Sequence, residues 1–177
     1  TFAERDRRPL DLLERSGRSF RIHKTGKRIT PAELLAGGAG AAVIVAGVEP
    51  YDAPTLERLP DLRCISRCGV GTDNVDLAAA RARGLMVVNT PDVPTAAVAE
   101  LALSMFLSLS RNLRTQANLM QQRKWERLES HLLGARTVGI IGLGRIGLRV
   151  AELCRAFGAR VVAVDPRPDA AAIAQRA

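Results

Sequence analysis

The residues with the clearest chemical meaning are three glycines, Gly142, Gly144 and Gly147, in the run Gly142-Leu143-Gly144-Arg145-Ile146-Gly147. An apolar, strand-like Thr137-Val138-Gly139-Ile140-Ile141 precedes them, and a helical pattern over 148–157 follows. A G-x-G-x-x-G between a strand and a helix is suited to phosphate: the first glycine makes the tight turn, the second lets a pyrophosphate approach the backbone, and the third lets the helix pack on the strand. The helix start adds unpaired N–H groups and the positive end of its dipole. The next β-branched run, Arg160 to Val164, ends in Asp165, 18 residues beyond Gly147. A carboxylate there accepts hydrogen bonds from an adenosine ribose and repels a 2′-phosphate, so NAD is the expected cofactor; Arg167 is the one nearby cation suited to NADP.

These residues must be positioned by alternating strands and helices. Strand-like runs fall at 19–23, 41–46, 63–68, 85–88, 137–141 and 160–164, with helical patterns between them. Thr30-Pro31-Ala32-Glu33 is a capping box with proline at the first helical position, and the helix opened by Asp76 stops at Gly84. The expected class is α/β with parallel sheets. Asn89-Thr90-Pro91-Asp92-Val93-Pro94 sets two prolines in six residues and reads as a hinge, before one long helical pattern over 95–122. Residues 1–92 are expected to form one domain and 93–177 the start of a second.

Composition fits a globular chain: 177 residues, 47% hydrophobic, 3% aromatic, formal net charge +8. The charge is arginine scattered in ones and twos, with lysine only at 24, 27 and 124, so neither a basic run nor an aromatic stacking surface points to nucleic acid. No apolar run reaches the roughly 20 residues of a membrane span and no basic-then-apolar leader opens the chain, so a cytoplasmic protein is expected. Cys64, Cys68 and Cys154 lack C-x-x-C spacing and are expected to be reduced, with no metal site.

Several further motifs occur in order: Arg67-Cys68-Gly69-Val70-Gly71-Thr72-Asp73-Asn74-Val75-Asp76, Arg83-Gly84, Asn89-Thr90-Pro91, Val98-Ala99-Glu100, Lys124-Trp125-Glu126-Arg127, the glycine run, and Asp165-Pro166. Together they resemble the D-isomer-specific 2-hydroxyacid dehydrogenases, in the phosphoglycerate dehydrogenase branch. The resemblance implies a flavodoxin-like substrate domain and a Rossmann domain, with hydride transfer between a nicotinamide and a 2-hydroxy or 2-oxo acid. It implies that Gly69, Val70 and Gly71 offer backbone N–H groups to the substrate carboxylate, with Val70 also touching the nicotinamide side of the cofactor. By the same resemblance Arg145 and Ile146 contact the pyrophosphate beside the glycines, Asp165 holds the ribose, and a homodimer forms through the early Rossmann helices. By the same resemblance the family's substrate-holding arginine, its proton-transfer histidine and the glutamate that raises the histidine's basicity are expected after Ala177. The 177 residues alone are therefore expected to be inactive, with the first strand of the substrate domain also missing.

Other residues invite plainer readings. His23 and His131 are expected to be solvated or packing histidines, and Cys68 a small core side chain on the face of Cys64. Glu100 is expected to favour the positive end of its helix, Trp125 to pack in the core or at an interface, and Asn74 and Asp76 to shape a turn and cap a helix. Related serine-pathway enzymes often carry a phosphate-reading arginine where this chain has Ala46, followed by Gly47-Val48-Glu49, which weakens the case for 3-phosphoglycerate itself and leaves open a different 2-hydroxy acid or a phosphate read by another arginine. The alternative reading is a catalytically inactive NAD(H)-sensing module of the corepressor type.

Overall fold

The computed structural model describes residue 3, residues 6–23 and residues 26–167. The chain forms two compact units, Thr1–Thr90 and Pro91–Ala177.

In the first unit, β1 (Val43–Ala46), β2 (Cys64–Arg67) and β3 (Met86–Val88) form a parallel sheet in the order β1-β2-β3. Helix α1 (Arg8–Arg15) precedes α2 (Pro31–Gly38), and α3 (Ala53–Glu57) and α4 (Leu77–Ala82) connect the strands. The capping box at α2 is complete: Glu33 N–H donates to the Thr30 hydroxyl at 3.2 Å, and Thr30 N–H donates to the Glu33 carboxylate at 2.7 Å. Asp52 and Asp76 cap α3 and α4 by accepting from Thr55 N–H and Ala79 N–H. Ile65 in the middle strand is fully buried among Leu34, Tyr51, Leu56, Leu59 and Leu85, each such aliphatic side chain contributing about 1.5–3 kcal/mol. Val43, Val45, Met86 and Val88, on the other face of the strands, are exposed.

The second unit begins with α5 (Thr95–Ser110) and α6 (Leu113–Gln121), then a 3-10 turn at Leu133–Ala135, β4 (Thr137–Ile141), α7 (Arg145–Ala156) and β5 (Arg160–Val164). β4 and β5 pair in parallel, from Thr137 beside Arg160 to Ile141 beside Val164. With α7 between them they make one β-α-β, the unit that binds a mononucleotide. Its core joins Ala99, Leu133, Val138, Val150, Cys154 and Ala159.

Five expectations need correction. Residues 19–23 form no strand: the sheet's described partners of β1 end at β2, and Arg21 instead sends its guanidinium to the Ala39 carbonyl at 2.5 Å. The helical pattern over 95–122 is two helices, because Asn112 adopts the left-handed region (φ 52°) and its side-chain amide donates to the Glu129 carbonyl at 2.7 Å. Asparagine tolerates that region by bonding locally, so no glycine or proline marks the break. Cys68 is exposed rather than core, since β2 ends one residue before it. Trp125 is 84% exposed, which removes the reading of packing in its own unit's core. Glu100 lies beyond the first turn of α5, too far along to favour its positive end.

Candidate functional site

In each unit a glycine-bearing loop leaves the C-terminal end of a strand, where open α/β sheets bind ligands. In the second unit the chain leaves β4 through Gly142, whose φ of +95° is a conformation that favours glycine. Gly142 N–H donates to the Val164 carbonyl at 2.7 Å, fixing the turn to β5. Gly144 is the N-cap of α7 and supplies no side-chain cap. The N–H groups of Gly144, Arg145, Ile146 and Gly147 accordingly make no hydrogen bond within the described chain.

The other two glycines differ in what requires them. A Cβ on Gly147 would sit 2.0 Å from the Gly142 carbonyl oxygen, so helix and loop approach too closely for any side chain. A Cβ on Gly144 would meet nothing within 4 Å, and its φ of −67° suits any residue. The fold therefore has no use of its own for glycine at 144. Open space over its Cα and four adjoining N–H groups without partners are what the close approach of a dinucleotide's pyrophosphate requires. Arg145 stands at this opening with its Nε bonded to Asp92 at 2.6 Å, both side chains well exposed.

Asp165 lies at the end of β5, and its carboxylate is already engaged. It accepts from Leu143 N–H at 2.6 Å, from Arg167 N–H at 2.9 Å and from Arg167 Nε at 2.8 Å, and Arg167 also donates to the Leu143 carbonyl. The Arg167 guanidinium, with these backbone donors, holds the Asp165 carboxyl far below the usual carboxylate range, so it is an anion at any ordinary pH. Its side chain is only 6% exposed, against 46% for Arg167. The acid thus sits where the sequence puts it, beneath an arginine that the sequence reading treated as a separate nearby cation.

In the first unit the loop after β2 holds Gly69, Val70 and Gly71. Gly69 has a φ of +146°, and a Cβ there would run into the Arg67 guanidinium. Gly69 N–H is shared between the Arg67 carbonyl (3.0 Å) and the Thr90 hydroxyl (2.9 Å), so this group is not left over for a carboxylate. The N–H groups of Val70 and Gly71 have no partner among the described residues, and Val70 is 39% exposed. Asn74 braces the loop from below: its side-chain amide donates to the Glu49 carbonyl at 2.7 Å and to the Gly47 carbonyl, while its oxygen accepts from Arg67 Nε. Ala46 pairs in register with Arg67, and beyond it the Glu49 carboxylate accepts from Gly47 N–H at 2.8 Å. This network, and Arg67 in particular, was missed from sequence, because only the fold sets residues 49, 67 and 74 together.

His23 and His131 are exposed, and His131 uses its backbone N–H on the Ser110 carbonyl. Among the described residues no group of His, Cys, Asp and Glu side chains is arranged to hold a metal ion, and no helix is long and apolar enough to cross a membrane.

One unit holds a parallel β-α-β whose glycine turn leaves four N–H groups without a partner among the described residues, and the other a parallel sheet whose loop after β2 leaves two, the two-unit α/β architecture of a dehydrogenase class. Residues 3–171 match the model of the D-isomer specific 2-hydroxyacid dehydrogenase catalytic domain, and the chain belongs to that family. It is 42% identical over 137 residues to D-3-phosphoglycerate dehydrogenase of Mycobacterium tuberculosis, covering 76% of this chain and 26% of the relative. To hydroxypyruvate reductase of Thermotoga maritima it is 35% identical, covering 70% of this chain and 41% of the relative. Among solved structures, the TT0316 protein from Thermus thermophilus superposes with a TM-score of 0.81 at 36% identity, over 90% of this chain and 53% of that one. D-Lactate dehydrogenase from Aquifex aeolicus, solved with NAD and lactic acid, gives 0.77 at 26% identity, over 96% and 52%. The chain therefore spans between about a quarter and a half of the length of these proteins.

Proposed function

We propose that this chain supplies the substrate-carboxylate loop and the pyrophosphate loop of an NAD-dependent dehydrogenase that interconverts a D-2-hydroxy acid and its 2-oxo acid. The observation that carries this reading is the pair of glycines: Gly147 is demanded by the fold, whereas Gly144 is not, and it adjoins N–H groups without partners, as the close approach of a phosphate would require. NAD, when bound, accepts or donates the hydride at its nicotinamide. The chain's own residues bind and orient. Gly144, Arg145, Ile146 and Gly147 direct N–H groups and the helix dipole at the pyrophosphate. Asp165 faces the ribose, where its fixed negative charge opposes a 2′-phosphate. Val70 and Gly71 offer two N–H groups to the substrate carboxylate. Proton transfer is assigned to neither His23 nor His131.

The substrate is a small 2-hydroxy acid. The likeness to phosphoglycerate dehydrogenases favours a phosphorylated one, while Ala46 and the Glu49 carboxylate near the carboxylate loop favour one without a second anion. The test is NADH oxidation by the natural protein that carries these residues, with hydroxypyruvate, 3-phosphohydroxypyruvate, pyruvate and glyoxylate. Turnover of at least one, giving a D product wherever the product is chiral, is expected; binding of NADH without turnover of any would favour the dinucleotide-sensing alternative.

Leu101, Met105 and Leu109 repeat at helical spacing along one exposed stripe of α5, each more than half exposed. Helix α6 continues with exposed Leu113 and Met120 and buries nothing. Such a stripe supports a homodimer in which a second copy covers this face. Sedimentation of the natural protein is expected to give twice the chain mass, and Met105→Glu to return it to the monomer.

A further inference from the structure

We infer that Asn89 and Thr90, immediately after β3, are positioning residues for substrate: they hold the Gly69 to Gly71 turn so that its two unpaired N–H groups face the carboxylate. The inference rests on the dehydrogenase reading above and goes beyond it by assigning a role to residues outside both loops, through their bonds to Gly69 and Val70.

The ladder between β2 and β3 ends with Ser66 beside Val88. Beyond that point the two chains are joined by different bonds. Thr90 N–H donates to the Gly69 carbonyl at 3.0 Å, and the Thr90 hydroxyl accepts from Gly69 N–H at 2.9 Å. One residue earlier, the Asn89 side-chain amide donates to the Val70 carbonyl at 2.7 Å. These three bonds consume both backbone groups of Gly69 and the carbonyl of Val70. The N–H groups of Val70 and Gly71 are left over, and with the adjoining carbonyls fixed, the peptide planes that carry them cannot rotate. Gly69 at φ +146° has no steric preference that would hold the turn by itself. The conformation is therefore imposed from outside, by the hydroxyl of Thr90 and the amide of Asn89, while the Asn74 and Arg67 contacts support the opposite side.

Two N–H groups bind a carboxylate well only when they are aimed before it arrives, since an unbraced turn must be ordered on binding. Loss of one bracing bond should consequently weaken the substrate far more than the dinucleotide, whose pyrophosphate loop lies in the other unit and which meets this turn only through Val70.

The experiment uses the natural protein and three variants: Thr90→Val, which keeps the shape and removes the hydroxyl; Thr90→Ser, which restores it; and Asn89→Ala. Kd for NADH is read by fluorescence titration, Kd for oxamate from its effect on the NADH-bound protein, and KM and kcat with the 2-oxo acid turned over best. Thr90→Val and Asn89→Ala are expected to raise the oxamate Kd and the KM about fivefold, as one hydrogen bond allows. The NADH Kd should change less than twofold, and Thr90→Ser should lie within twofold of the unaltered protein. Unchanged oxamate affinity in both Thr90→Val and Asn89→Ala overturns the inference. So does an equal loss of NADH and oxamate binding, which would mean general damage, or a failure of Thr90→Ser to restore. If the unaltered protein neither turns over a 2-oxo acid nor binds oxamate, the dehydrogenase reading itself fails and takes the positioning role with it, an outcome distinct from the others.

Discussion

Gly147→Ala is expected to lower the stability of the second unit by about 3 kcal/mol, the upper end of the range for forcing an extra methyl into a filled space, and to lower Tm by roughly 15 °C. The added Cβ would sit 2.0 Å from a backbone oxygen and 3.1 Å from the carbonyl carbon of Gly142, and neither can swing aside as a side-chain end would. Either α7 lifts off the loop or the turn at Gly142 opens, and both disperse the N–H groups that face the pyrophosphate. NADH affinity should fall at least tenfold even in the protein that remains folded. Gly144→Ala provides the contrast. Its methyl meets nothing and its backbone is unstrained, so stability should stay within the scatter of a surface change, about 0.5 kcal/mol, while NADH affinity falls about tenfold because the methyl occupies the ligand's space. Thermal melts and NADH titrations of the two variants separate the glycine needed by the fold from the glycine needed by the ligand.

Asp165→Ser is expected to move cofactor preference from NADH toward NADPH by about 100-fold in the ratio of dissociation constants. In the native chain Arg167 is bonded along the Asp165 carboxylate, and the carboxylate charge persists through the ordinary pH range because those bonds depress its pKa. A depressed pKa means that the carboxylate stays charged from high pH down to below the usual carboxylate range near 4, so NADH should stay preferred over NADPH from pH 8 to pH 6, and any change of the ratio in that range belongs to the 2′-phosphate, whose second pKa is about 6. Removing the carboxylate deletes the repulsion felt by a 2′-phosphate and releases Arg167 from Asp165 to meet it, a charge-assisted bond contributing about 1.5–3 kcal/mol. Arg167→Ala, which leaves the acid in place, should keep NADH ahead. Titrations with NADH and NADPH read both.

The parts of this site that were legible in sequence are those in which local chemistry and fold agree. β4 and β5 run from Thr137 to Ile141 and from Arg160 to Val164 as their β-branched pattern requires, because the parallel strands of a β-α-β are apolar on both sides. The capping box at Thr30 and the caps at Asp52 and Asp76 depend on residues within three positions of one another and form as local chemistry dictates. What escaped depends on partners far along the chain. Residues 19–23 alternate as a strand does but lack a described neighbour to pair with. The break at Asn112 is fixed by the Glu129 carbonyl, 17 residues on. Thr90 matters because of Gly69, 21 residues earlier, and spacing could put Asp165 at the end of β5, whereas the turn of Arg167 back over it is held by the Leu143 carbonyl, 24 residues earlier. Cys68 illustrates the same limit: alternation assigns it to the face of Cys64, but the strand has already ended at Arg67.

The central claim, that two separate turns of this chain receive the pyrophosphate and the substrate carboxylate, is tested most directly by amide hydrogen exchange of the natural protein. Exchange would be followed alone, with NADH, and with NADH plus oxamate. NADH is expected to slow exchange at residues 144–147, and oxamate added to the NADH-bound protein to slow it further at Val70 and Gly71. Protection by NADH that leaves 144–147 unchanged, or protection by oxamate that bypasses Val70 and Gly71, would contradict the account.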